Sequence, residues 1–318
     1  MKKDSSRFWK TILIVSALFV AVDIVVGVVA DRLMVRLPYS KEDLAKDNYR
    51  LHQVNADVVI IGSSRGCNHY VTQQLGDSLD ACYGKHQSIF NASIAGKCAN
   101  SNSCAAEAIV SRYRPQLVIY EISEGELCDD QVADIEFSAP FYWKDTIVRR
   151  YLDEIGLKER ILTKSSLYRY NGKLLRIASC FMHPSAVDDG YKPKFGSAID
   201  TTKAKDASKV STPTKELDNY TVNNFENVLK KYSSEKVPLV IACSPHFRPQ
   251  GNNRRLAALC EKYGVPFIDL YDVPYFNNHP ELFYDGKHLN DDGAHLYTAM
   301  FFEQLKSFFP ITNCKSLR

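Results

Sequence analysis

The chain has almost no net charge: 40 Lys+Arg stand against 37 Asp+Glu, a difference of +3 over 318 residues. It carries no basic stripe, which argues against a dedicated nucleic-acid binder. No two of its nine cysteines form a CxxC pair, so zinc-ribbon and thioredoxin readings fall away. No internal repeat is visible. A metal site of His288, His295 and nearby aspartates lacks a recognised ligand spacing. Hydrophobic residues make up 45% and charged residues 24%, which is ordinary for a globular protein. A disordered tail protein, a collagen-like chain and a disulfide-dense mini-domain are thereby excluded. The length admits one large domain or two small ones. Nine is an odd number of cysteines, and the sequence does not say which of them pair.

Long apolar runs are also scarce, with one exception. Thr11 to Ala30 is a stretch of 20 residues with a single charge, Asp23. At about 1.5 Å per helical residue it matches a hydrocarbon core of roughly 30 Å. Lys2, Lys3, Arg7 and Lys10 flank it on the N-terminal side, and Trp9 stands where an interfacial aromatic would. Asp23 would cost about 2.5–3.5 kcal/mol at mid-bilayer, which the surrounding Ile, Leu, Val and Phe can offset. A buried helix would show a polar face, and this stretch has none. A cleaved signal peptide, with Val28 and Ala30 as small cleavage residues, is the main rival to an uncleaved anchor. The basic N-terminus favours a single-pass protein with its body on the extracytoplasmic side, periplasmic or at the cell surface.

Beyond residue 55, short β-rich runs alternate with helical patterns. DVVIIG (57–62), SIFNAS (88–93), QLVIYEI (116–122), PLVIACS (238–244) and PFIDLY (266–271) read as strands buried on both faces. Helical periodicity fills 99–113, 216–235, 252–263 and 291–309. This alternation implies a mostly parallel five-stranded sheet covered by helices, an α/β fold. It is interrupted at about 127–215. The first part of that insertion is aromatic and helical in pattern; the second, 192–216, is rich in Lys, Ser and Thr and reads as a surface loop.

In parallel sheets reactive groups collect at the carboxyl ends of strands, so the loops that follow them are the places to search. After the first strand comes Gly62-Ser63-Ser64-Arg65, in which a hydroxyl stands at a helix start; a plain N-cap has the same look. After the second comes Asn91-Ala92-Ser93-Ile94-Ala95-Gly96, whose glycine can present an unobstructed N–H. Before the last helix comes Asp285-Gly286-Lys287-His288-Leu289-Asn290. A carboxylate three residues from an imidazole can hold Nδ1–H while Nε2 faces a nucleophile. Arg65, Asn100 and His246 (the last in Cys243-Ser244-Pro245-His246) are candidate substrate contacts.

Taken in order, these blocks resemble those of the SGNH/GDSL hydrolases, over roughly residues 55–310 apart from the insertion. The resemblance implies a flavodoxin-like three-layer sandwich and a serine esterase needing no cofactor or metal. Ser64 would be the nucleophile, His288 the base, Asp285 its orienter, and the N–H groups of Ser64 and Gly96 the oxyanion donors. Ser63 replaces the family's usual Asp. The third block departs further: Ser123-Glu124-Gly125-Glu126 puts Gly125 where an oxyanion-binding Asn is usual. Losing one such donor typically costs about 10²–10³ in rate. Asn100 or Asn102 could substitute by position.

The expected order is a basic tail (1–10), the span (11–30), a stalk (31–55), a catalytic domain (56–310) with the insertion, and a tail (311–318). The tether and the family analogy point to ester groups, such as O-acetyl, on an envelope or extracellular polysaccharide. The expected partners are an acylated glycan and membrane lipid along residues 11–30. An O-acyltransferase fed by a membrane acyl-donor partner, and an inactive glycan-binding or assembly protein, are the alternatives.

Overall fold

The computed structural model describes residues 2–128, 132–199, 215–249 and 251–308. The expected tail at 311–318, and most of the Lys/Ser/Thr-rich loop, lie outside them. In chain order come α1 (Lys2–Val35), α2 (Asp43–His52), β1 (Val58–Ile61), α3 (Ser64–His69), α4 (Thr72–Tyr83), β2 (Ile89–Asn91), α5 (Ala99–Arg112) and β3 (Leu117–Glu121). Five short helices follow: α6 (Val132–Glu136), α7 (Thr146–Ile155), α8 (Leu157–Leu162), α9 (Ser166–Arg169) and α10 (Leu174–Met182). The chain then makes α11 (Asn219–Glu235), β4 (Leu239–Cys243), α12 (Arg254–Lys262), β5 (Phe267–Asp269), α13 (Pro274–Asn278), β6 (Phe283–Asp285), β7 (His288–Leu289) and α14 (Asp291–Phe308). Two compact units result, Met1–Ala45 with Ile135–Ala186, and Lys46–Asp134 with Val187–Arg318.

The larger unit is built on a parallel sheet of order β2-β1-β3-β4-β5, a flavodoxin-like arrangement. The central strands β1, β3 and β4 are largely β-branched and aliphatic residues buried on both faces, and side chains alternate between them. Val59, Ile61, Val118 and Ile241 pack on one face with Ile109, Phe225, Leu229 and Leu256 of α5, α11 and α12. Val58, Ile60, Ile119 and Val240 pack on the other with Leu75 and Leu79 of α4 and Tyr297, Phe301 and Leu305 of α14. The result is a three-layer α/β/α sandwich. Its strands β1, β2, β3 and β4 end at the Gly62, Ala92, Ile122 and Ser244 loops, on one edge of the sheet.

In the smaller unit α1 carries the chain's long apolar stretch, Ser6–Val35, with a mean hydropathy of 2.9 over its most apolar window. It is one helix among the described residues long and apolar enough to cross a membrane. Residues 6–22 are exposed on every side, whereas Gly27, Ala30, Met34 and Leu37 form a buried stripe. The stretch 31–55 is mostly helical; Leu44 is buried in this unit, and Leu51 and Val54 are buried in the larger one. Cys67, Cys98, Cys104, Cys128, Cys180, Cys243 and Cys260 form no disulfide.

Candidate active site

The turn from β1 into α3 places Ser64 at the first helical position. Gly62 makes this turn possible, because a Cβ there would sit 2.9 Å from the Glu121 Cβ and 3.2 Å from its carbonyl oxygen. Two strands' ends therefore approach closely. Gly66, one turn on, is equally tight: a Cβ would meet Ser93 Oγ at 2.2 Å and Ser93 Cβ at 2.8 Å. Gly66→Ala is expected to destabilise the fold by about 1–3 kcal/mol through overpacking. Thermal unfolding in detergent measures it, and an unchanged Tm would show that the loop after β2 gives way freely.

Ser64 Oγ lies 2.7 Å from His288 Nε2. On its other side His288 Nδ1 is 2.9 Å from each oxygen of Asp285. The antiparallel β6–β7 pair carries both residues, and Asp285 Oδ1 also accepts from the N–H groups of Lys287 (2.9 Å) and His288 (3.0 Å). Partial burial raises the Asp285 pKa, but these amides and the imidazole outweigh it and hold the carboxyl below its ordinary value. An ionised carboxylate only accepts, so Nδ1 carries the proton, Nε2 is bare, and the Ser64 hydroxyl donates to it. That is the protonation state a general base needs.

The remaining sequence candidates fall in different places. Gly96 occupies an exposed turn with φ +79, closed by a bond from Lys97 N–H to the Ile94 carbonyl. β2 stays paired with β1 as far as Ile94 N–H on the Gly62 carbonyl, 3.2 Å, so the turn leaves the sheet beside the Ser64 loop. Ser64 N–H belongs to the amides that a helix start leaves without an intrahelical partner. Gly125 lies in a 3-10 turn, Glu124–Leu127, and offers no side chain to an oxyanion.

Asn100 and Asn102 do not replace that Asn. Asn100 is fully buried between α5 and α11, bonded to Thr221 (3.1 Å) and Asn224 (3.0 Å). Asn102 accepts from Arg50 at 2.9 Å. Arg65 is buried as well and is not brought to the triad as a surface contact. Its guanidinium pairs with Glu126, lies 3.5 Å from Glu121 and donates to Ser123 Oγ at 3.2 Å. Burial opposes its charge, but Glu126 and Glu121 outweigh that and keep it protonated. His246 lies 3.5 Å from Arg65 and packs on the Tyr271 ring; burial, then the Arg65 charge, pushes its pKa down to about 2.

A buried polar chain under the triad escapes sequence reasoning. Leu289 N–H donates to His69 Nε2 at 2.9 Å, so the His69 proton sits on Nδ1, 2.7 Å from Ser244 Oγ. Burial first, and the Arg65 charge second, drive the His69 pKa well down and keep the ring neutral. Ser244 Oγ and N–H both donate to Glu121 Oε1, at 2.8 and 3.1 Å. Tyr70 holds the other Glu121 oxygen, and Tyr297 donates to Tyr70 at 2.8 Å. Burial raises the Glu121 pKa against the pull of Arg65 and these donors. The chain thus ties β7, the strand that carries His288, to Glu121 of β3 at the centre of the sheet. One signal was available: Glu121 is a lone charge in an otherwise apolar strand.

No protein-family model and no curated protein matches the chain. Among solved structures it is similar to a lipase/acylhydrolase from Enterococcus faecalis, with 11% identity, a TM-score of 0.39, and 81% of this chain and 98% of that one covered. A Bacteroides fragilis protein assigned to the acylhydrolases follows at 9% identity and a TM-score of 0.32, covering 78% of this chain and 86% of its own. Neither superposition is close.

Proposed function

We propose that the chain is a membrane-anchored serine esterase of the SGNH/GDSL kind, acting on ester groups, with O-acetyl on a polysaccharide of the cell envelope or exterior as the substrate class. The observation that carries this reading is the Ser64–His288–Asp285 relay, with distances of 2.7 and 2.9 Å. Ser64 Oγ attacks the ester carbonyl carbon and passes its proton to His288 Nε2. The tetrahedral intermediate collapses, and the same proton goes to the departing alkoxide. Water, deprotonated by His288, then releases the acid and restores Ser64. Asp285 holds the tautomer throughout, and the Ser64 and Gly96 N–H groups take the oxyanion. The glycine at position 125 removes the third donor, which implies a slower enzyme by about 10²–10³ than one with the Asn in place.

The aligned proton relay disfavours an inactive binding protein, because a glycan-binding surface has no need of it. Placement on the extracytoplasmic side is supported by the basic N-terminal flank. The membrane helix also favours a second use of the same acyl-enzyme, in which a glycan hydroxyl replaces water and a membrane partner supplies the acyl group. Labelling with a fluorophosphonate tests the common core. The wild-type chain is expected to be modified at Ser64, with labelling lost in His288→Ala. Absence of labelling in the wild-type protein would overturn the proposal. Acyl transfer to an added oligosaccharide, followed by mass spectrometry, separates transferase from hydrolase.

A further inference from the structure

Asp23 is the one charge between Thr11 and Ala30 of α1, and it is not left alone. Its carboxylate accepts from Ser165 Oγ at 2.6 Å and from Leu167 N–H at 2.8 Å, both at the start of α9. One turn further along α1, Gly27 leaves no room for a side chain, since a Cβ would lie 2.3 Å from Ser166 Oγ. A turn beyond that, Asp31 receives the Tyr170 hydroxyl and lies 3.7 Å from the Arg169 guanidinium. Arg169 is only 1% exposed. Residues 165–170 therefore run along α1 in its own direction, from Asp23 to Asp31.

Depth follows from helix geometry. The apolar part of α1, Ser6–Val35, is 30 residues long, about 45 Å, which matches a bilayer with its headgroup layers. With Trp9 at one interface, Asp23 lies about 21 Å further on, short of the roughly 30 Å that the hydrocarbon core spans. The start of α9 reaches that depth with it, and its backbone there is satisfied as a lipid setting demands: Leu167 N–H by Asp23, Tyr168 N–H by Ser165 Oγ at 3.3 Å.

The outward side of the same unit carries exposed apolar side chains among basic ones. Leu157 (73% exposed) and Ile161 (56%) stand one turn apart on α8, just before the residues that grip Asp23. Trp143 is 53% exposed, its ring 6.0 Å from the Arg169 guanidinium, at the level of Gly27 to Asp31. Leu175 of α10 is 84% exposed. Lys158 and Arg160 lie between the first two and Lys164 follows them, all three exposed. Exposed apolar and basic residues on short helices, continuous with a membrane span, suit the boundary of an anionic bilayer.

We propose that residues 135–186 form a membrane-embedded collar around the second half of α1, with Trp143, Leu157, Ile161 and Leu175 in contact with the lipid of one leaflet. The proposal rests on reading α1 as a membrane span. It makes Asp23 a docking point for the collar within the bilayer.

The chain has two tryptophans, Trp9 and Trp143, which allows a direct test on the full-length protein. Trp143→Phe leaves Trp9 to report on α1, and Trp9→Phe leaves Trp143 to report on the collar. Each variant is reconstituted into phosphatidylcholine/phosphatidylglycerol vesicles with brominated acyl chains. Both tryptophans are expected to be blue-shifted and quenched by bromine. Quenching of Trp9 with water-like, unquenched emission from Trp143 would overturn the collar and leave the anchor standing. Quenching of neither would overturn the anchor and the collar together. Trp143 shielded from bromine and from aqueous iodide alike would give this face to a protein partner, such as a second copy, and overturn the lipid contact.

Discussion

Ser64→Ala is expected to lower p-nitrophenyl acetate turnover by about 10⁴–10⁶-fold, the range seen when a triad nucleophile is removed. The hydroxyl bonds only to His288 among the described residues, and the side chain is neither a helix cap nor part of the core. The fold should therefore survive, and an unchanged Tm would assign the loss to chemistry. His288→Ala should cost about as much, and the double variant little more, because members of a relay act as one unit. Asp285→Asn probes a different link. An amide can still occupy the place, but it no longer requires a proton on Nδ1, so the wrong tautomer turns an N–H toward Ser64. Its expected loss is about 10⁴-fold. Turnover in Ser64→Ala equal to wild type would sink the esterase reading, whatever the other variants did.

How far the sequence leads depends on how local each signal is. The three central strands are the runs VVII, LVIYE and LVIAC, apolar on both alternations but for Glu121, and a strand with almost no polar face has to lie inside a layered sheet. The three site loops were legible for the same reason, since each follows a strand or precedes the last helix within a few residues. Side-chain direction was not. Arg65 follows Ser64 by one residue, yet one step along a helix turns a side chain by about 100°, which aims Arg65 into the sheet toward Glu121 and Glu126. Asn100 opens α5, but the face it lies on depends on α11, more than a hundred residues away. His69 and Ser244 meet only after α3 and β4 are in place. The pairing of residues 165–170 with Asp23 and Asp31 is equally non-local, and no spacing within either segment announces it.

Arg65→Met is the substitution that separates the two views of this residue. A substrate contact would raise KM and leave stability alone. The buried pairing with Glu121 and Glu126 leads instead to a loss of about 3–5 kcal/mol, because removing one partner leaves a carboxylate uncompensated in the interior. At roughly 2–4 °C per kcal/mol for a domain of this size, thermal unfolding resolves the effect easily. The pH dependence carries the cause. Burial already raises the Glu121 pKa above its unfolded value, and Arg65 is the largest influence pulling it back. Without Arg65 it climbs further, so the folded state holds its proton to higher pH than the unfolded chain does. Stability from such a group falls as pH rises through that window and is recovered below the unfolded value. The deficit of Arg65→Met should therefore be greatest at alkaline pH and shrink toward pH 4–5, the ordinary range for a glutamate. Adding Glu121→Gln to Arg65→Met should flatten the dependence, since the amide has no charge to bury. A KM effect with an unchanged Tm across this range would return Arg65 to the substrate.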